Sequence, residues 1–345
     1  MFLGEERRII ILGLDFSSIP LIKHLCENNI RNILVAEDSI EPGYYTGTYR
    51  SAGFVIEKLY SFLDPGDKKI FDKLGAETLC ARPRVRVAKP GDLIYKIACW
   101  KKDLAPWWIS GDFSETCLVR NSGDFLREKI LGGCAEYTFY TPRKIDLDKK
   151  IMVLRNGRVV KYEKLVVSYP VNRFLEASYS KDLPREYLEN ISNMKWIGLL
   201  SISYGVRGEK PEWDIVLHAT RASRTHIFSV VSNMIPGTAP EGHYLINLQM
   251  SYCHDNHPPP DALSRGIAEA RWAKLISDES NIVLERIFVL HHMIPYNTDL
   301  EKLDEIKKIL SEKYEIFLLG VRGEGISMNM RDQMSRAEAV VEKIL

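Results

Sequence analysis

Residues 7–12 (RRIIIL) are polar at the start and then continuously apolar, the pattern of a parallel strand buried on both faces. Gly13 predicts a tight turn, residues 17–27 carry apolar positions at helical spacing, and residues 33–36 (ILVA) form a second buried strand that ends at Glu37. Further on the period shortens to two. The segment RPRVRVAKPGDLIYKI alternates cation and apolar residue, turns at Pro90-Gly91 and returns, which predicts a hairpin with one basic face. A short helix is expected over 124–131, and strands over 137–140, 151–154 and 159–162 around an Asn156-Gly157 turn, followed by KLVVSY up to Pro170. Runs at 196–206, 215–218, 225–231 and 244–253 predict an antiparallel sheet. Helices are expected over 261–276, 299–313 and 329–345, with a strand in 281–291 and EIFLLG as a last strand before a glycine turn.

A strand-glycine-helix unit at each end with an antiparallel sheet between them implies an α/β chain whose first domain is discontinuous. The division expected is 1–60, 120–185 and 292–345 for a nucleotide-binding domain, and 61–119 and 186–291 for a substrate or cap domain. In a nucleotide-binding βαβ unit the first glycine makes the turn, the second lets the diphosphate reach the backbone and the third lets helix and strand pack. Gly13, Asp15 and Ser18 hold those three positions. Glu37 stands about 20 residues on, where an acid takes the ribose hydroxyls. Asp15 has two readings: a carboxylate facing the ligand's own negative charge, or one turned aside to cap the helix. Ser17 and Ser18 add hydroxyl donors to the same turn.

With 345 residues, 45% of them hydrophobic, the chain can bury a large core in two domains. A net charge of +1 supplies no global field for nucleic acid or an anionic membrane. The apolar run near the amino terminus is too short for a signal-peptide core or a membrane span, so a cytoplasmic location is expected. Cys26, Cys80, Cys99, Cys117, Cys134 and Cys253 contain no C-x-x-C pair, which argues against a zinc ribbon or a thioredoxin-like site and favours buried free thiols. Cys253-His254-x-x-His257 reads as a surface loop, and no metal site is expected. Arg82, Arg84 and Arg86 share a strand face that can hold an anionic group or simply be solvated. Trp107-Trp108 can line an aromatic pocket or cover an edge, and His291 and His292 point to opposite faces of their strand. No nucleophile-histidine-acid set stands at a recognised spacing, so no acid-base catalyst is named.

Taken in order, these segments resemble flavoproteins of the amine oxidase, protoporphyrinogen oxidase and UDP-galactopyranose mutase group. The first strand-turn-helix and Glu37 resemble the adenosine half of an FAD site, and EPGYYTGTYRSAGF resembles the loop that follows it. PRVRVAKPGDLIYKI resembles the group's arginine-containing hairpin, Ser168 and Pro170 match its Ser/Thr-x-Pro turn, and GVRGEGISMNMRDQMSRAEAVVEKIL resembles its closing Gly-Arg-x-Gly and Asn-Met motifs. The resemblance implies a Rossmann-like FAD-binding domain with an antiparallel substrate domain, and an FAD-dependent oxidoreductase or flavin-dependent isomerase-like enzyme acting on a small molecule. It places Gly13, Ser17, Glu37, Gly43, Gly320, Gly323 and Met330 along the cofactor, and Arg84, Trp108 and His292 toward the substrate.

The departures fall on the cofactor side. Asp15 and Ser18 replace glycines, Tyr44 replaces the second glycine of Pro-Gly-Gly, and Glu57-Lys58-Leu59 stands for Gly-Gly-His. Val321 stands where the group has arginine, with Arg322 one position later. The alternative is therefore a cofactor-free relative serving as a binding or regulatory subunit, as a homo-oligomer or beside a paralogous subunit; a site for another nucleotide, through Glu37 and the arginine hairpin, is a third reading.

Overall fold

The structure is a computed structural model that describes residues 5–63, 65–88, 93, 96, 113, 115–218, 220, 223–253, 257–277, 282–296 and 298–345. It has two compact units, Met1–Gly47 with Gly123–Lys195 and Ile294–Leu345, and Thr48–Ser122 with Trp196–Met293.

The first unit is built around β1 (Glu5–Leu12), whose residues Ile9 to Leu12 expose nothing. A strand apolar on both faces needs cover on both, and helices supply it. After α1 (Ser18–Glu27) the chain returns as β2 (Ile33–Ala36), parallel to β1, and β2 pairs in turn with β3 (Ala135–Thr138). On its other side β1 pairs in parallel with β4 (Val159–Val167), so that Ile10 stands between Leu34 and Leu165. The carboxyl-terminal segment then completes the unit. After α2 (Leu300–Tyr314), capped by Asp299, β5 (Ile316–Leu318) joins β4 in parallel and leads into α3 (Gly320–Glu324) and α4 (Met330–Ile344), capped by Asn329. Helix α4 packs against α1, so segments from both ends of the sequence build one layer.

The helix expected over 124–131 takes another form. An α-helical turn, Ser122–Phe125, opens into a π-helical turn, Leu126–Ile130, closed by the amide of Leu131 on the carbonyl of Leu126 at 2.9 Å. The wider turn brings Leu126, Ile130 and Leu131 all into the core.

In the second unit six strands lie in the order Ile282–Tyr296, Lys195–Arg207, His243–Cys253, Ile227–Val230, Ile215–His218 and Val85–Ala88. Alternation along them separates two apolar clusters, one holding Ile215, Leu217, Ile227 and Leu245, the other Val216, Phe228, Ile246 and Leu248. The basic hairpin is corrected. Strand Val85–Ala88 pairs in parallel with Ile215–His218, while Leu93 and Lys96 of the expected return strand are helical. Leu93 is buried, and the turn expected at Pro90-Gly91 lies outside the described residues.

The thiol reading is also corrected. Cys26 is bonded to Cys134, Cys80 to Cys117, and Cys253 is a disulfide cysteine as well, leaving no free cysteine among the described residues. Partners 108 and 37 residues apart are brought to Cα separations of 5.7 and 4.0 Å by folding, which no local spacing announces.

Candidate nucleotide site

The turn between β1 and α1 forms as its sequence dictates. Gly13 adopts φ +90°, and a side chain there would stand 2.5 Å from the backbone carbonyl of Ser168, so only glycine passes. The amide of Gly13 donates to Ala36 at 2.7 Å, tying the turn to the end of β2.

Helix α1 begins with amides that need acceptors. Asp15 supplies one. Its Oδ1 accepts from the amide of Ser17 at 3.0 Å and that of Ser18 at 3.3 Å, and the hydroxyls of Ser17, Ser18 and Ser168 converge on the same oxygen. Ser168, from the turn after β4, lies 2.8 Å from it and also reaches the carbonyl of Leu319 at 3.0 Å. Gly320 follows at φ +76°, and a side chain there would meet Ser17 Oγ and lie 2.7 Å from Asp15 Oδ2. The closing loop therefore rests directly on the first turn.

Glu37, at the end of β2, is wholly enclosed. Its Oε2 accepts from the Leu14 amide at 2.7 Å and from Arg322 Nη2 at 3.1 Å, and its Oε1 from the Asp38 amide at 2.9 Å. Arg322, in α3, also exposes nothing, and its guanidinium lies 4.0 Å from the ring centre of Tyr44. Burial alone pushes the Glu37 carboxyl up, but Arg322 and the two amides override it and hold the group well below the carboxylate range.

Of the residues placed along a cofactor, the fold brings Gly13, Ser17, Glu37 and Gly320 together, with Asp15, Ser168, Tyr44 and Arg322. Gly43 precedes Tyr44 on the loop after β2, at φ +99°. Gly323 packs under the Val167 carbonyl, and Met330 is the half-buried first residue of α4. Arg84 is mostly exposed and its guanidinium is engaged by Asp214 at 3.2 Å. His292 meets the ring of Trp196 edge-on at 5.3 Å, and Trp108 lies outside the described residues. Sequence reasoning missed the pairing of Arg322 with Glu37; the signal for it was the arginine displaced by one position from the family's motif.

The residues present do not fit FAD. A diphosphate requires the amides at the head of α1 that Asp15 already engages, and a ribose would have to share a carboxylate that already accepts from Leu14, Asp38 and Arg322. Ser17, Glu37 and Arg322 present no surface to solvent, so no open space adjoins them. Two carboxyl groups stand here against one guanidinium, which leaves no surplus positive charge for a phosphate.

Two other polar clusters belong to the second unit. Ser223 Oγ lies 2.9 Å from His218 Nδ1 and 3.0 Å from Glu269, but the serine stands between histidine and acid, and Glu269 also takes the amides of Arg224 and Thr225. That order closes a loop and does not activate a nucleophile. Glu57 is buried among hydroxyls, with Thr48 Oγ1 at 3.0 Å and Ser122 Oγ in contact, and burial pushes its carboxyl up to about 7. Because the folded value is raised, the neutral form stabilises the fold, and that contribution is lost as pH rises from the ordinary carboxylate range through about 7. Glu57→Gln is expected to flatten this segment of the stability profile in urea melts between pH 4.5 and 8; an unchanged slope would rule Glu57 out as its source.

No protein-family model matches the sequence, and neither does any curated protein. Solved structures do match in fold. A reduced UDP-galactopyranose mutase superposes with a TM-score of 0.78 at 15% identity, covering 98% of this chain and 94% of that one. A fatty acid isomerase from P. acnes gives 0.67 at 12% identity with 98% of each chain covered. Putrescine oxidase bound to putrescine gives 0.64 at 12% identity, with 98% of this chain and 100% of that one covered. Over nearly its whole length, the chain has the fold of the mutase, isomerase and amine oxidase group.

Proposed function

We propose that this protein keeps the flavoenzyme scaffold and works without a bound dinucleotide, as a binding or regulatory subunit. The observation that supports this is the Asp15 carboxylate on the α1 amides, where a dinucleotide would set its diphosphate. The Glu37–Arg322 pair closes the ribose position in the same way.

The fold likeness favours a second reading, an FAD-dependent oxidoreductase or flavin-dependent isomerase-like enzyme of the amine oxidase type acting on a small molecule. It requires Asp15 to leave the helix terminus and Glu37 to exchange Arg322 for a ribose.

An absorbance spectrum of the purified protein, repeated after incubation with FAD and desalting, separates the two. A colourless protein on both occasions is the expected result. Flavin bands that survive desalting, and that Glu37→Ala removes, would overturn the proposal and establish the oxidoreductase reading.

A further inference from the structure

We infer that a groove of the first unit, between α2 and α4, binds a small dicarboxylate, two anionic groups joined by an apolar body. The groove lies apart from the nucleotide turn: none of the residues that line it is a partner of Asp15 or Glu37.

The sequence builds both walls in the same way. Asp304, Lys307, Lys308 and Ser311 recur at i, i+3, i+4 and i+7 on α2, and Arg336, Ala339, Val340 and Lys343 do so on α4, so each set lies on one face of its helix. The two faces line one groove of about 350 Å³ with β5 at its base. That volume stands at the small end of ligand sites and suits a molecule of metabolite size.

Four cations line the groove against two carboxylates. Glu324 of α3 is nearly enclosed between the walls, where Lys307 Nζ of α2 donates to it at 3.2 Å and Arg336 Nη1 of α4 stands at 3.5 Å. Lys307 also reaches Asp304 at 3.4 Å, so these four side chains cancel in charge. Lys308 and Lys343 remain, one from each helix, both exposed and with no ion pair among the described residues. The last carbonyls of α4 do not hold Lys343 in their place, because Lys164 Nζ already donates to those of Lys343 and Ile344 at 3.1 and 2.9 Å.

Between the two ammonium groups the base is apolar: half-buried Phe317 with buried Leu318 and Val340. A carboxylate at each end of a ligand answers one lysine apiece, and a methylene chain between them covers the Phe317 ring. A monocarboxylate answers one lysine only, and inorganic phosphate leaves the base in water.

The test is a calorimetric titration at low ionic strength with succinate, adipate and suberate, and with hexanoate and inorganic phosphate for comparison. One dicarboxylate of the series is expected to bind one to one, and hexanoate about fivefold or more weakly, the worth of one exposed charge contact. Lys308→Gln and Lys343→Gln should each weaken the dicarboxylate by a similar factor, whereas Lys308→Arg keeps the charge and should keep the affinity. Both lysines are exposed and unpaired, so the variants should melt as wild type does in sodium chloride. The inference is overturned if no dicarboxylate gives saturable heat, if Lys308→Gln/Lys343→Gln binds as tightly as wild type, or if phosphate binds more tightly than every dicarboxylate. Flavin content enters none of these outcomes.

Discussion

Replacing Arg322 with leucine is expected to destabilise the protein by about 3–5 kcal/mol, among the largest losses any single substitution here should produce. The change leaves Glu37 wholly buried with two amides and no opposing charge. It also removes the guanidinium face stacked on Tyr44. The double variant Glu37→Gln/Arg322→Leu should lose much less, because the uncompensated charge goes with the pair.

The pH dependence makes the cause visible. In wild type the Glu37 carboxyl lies below its unfolded value, so its contribution is present above the ordinary carboxylate range and falls away as the solution is acidified. In Arg322→Leu the amides remain but no guanidinium offsets burial, so the loss of stability on acidification should shrink. Urea midpoints between pH 4 and 8 read both slopes; parallel profiles for wild type and variant would sink the argument.

The Cys26–Cys134 disulfide is expected to contribute about 4 kcal/mol, measured as the urea-midpoint difference between wild type and Cys26→Ser/Cys134→Ser. Cys26 sits in the last turn of α1, and Cys134 immediately precedes β3. Between them the chain runs through Thr48–Ser122 of the second unit, so β2 and β3 become neighbours only after a long excursion closes. A covalent tie at the foot of that excursion removes closure entropy from the unfolded chain, and the separation of 108 residues makes the effect large. Thiol titration of the unfolded, unreduced protein should find no reactive cysteine at Cys26, Cys80, Cys117, Cys134 or Cys253. A variant as stable as wild type would mean that the closed excursion is already short of entropy when unfolded.

Much of the fold can be read from local pattern. The run RRIIIL is apolar at consecutive positions, which a strand tolerates only when both faces are covered, and Gly13 follows at the one turn where a side chain would strike backbone. Asp299 and Asn329 sit immediately before their helices and cap them. The helical geometry at Leu93 and Lys96 was not legible, because a short run of mixed charge and apolar residues satisfies both periods.

The site divides in the same way. The residue types at the nucleotide turn, Asp15 for a glycine and Glu37 at the strand end, are visible in the primary structure, and so is the question they raise. Its answer depends on groups distant in sequence: Ser168 lies 153 residues from Asp15, and Arg322 lies 285 from Glu37. Local spacing alone determines that this chain builds a strand-turn-helix able to present amides to an anion, since backbone geometry and helix capping act over a few residues. Which anion takes them is a tertiary matter. The hydroxyl that reaches Asp15 arrives with the turn after β4 and the guanidinium that pairs with Glu37 arrives with α3, and the strong electrostatics of an enclosed site act only once folding has removed the water.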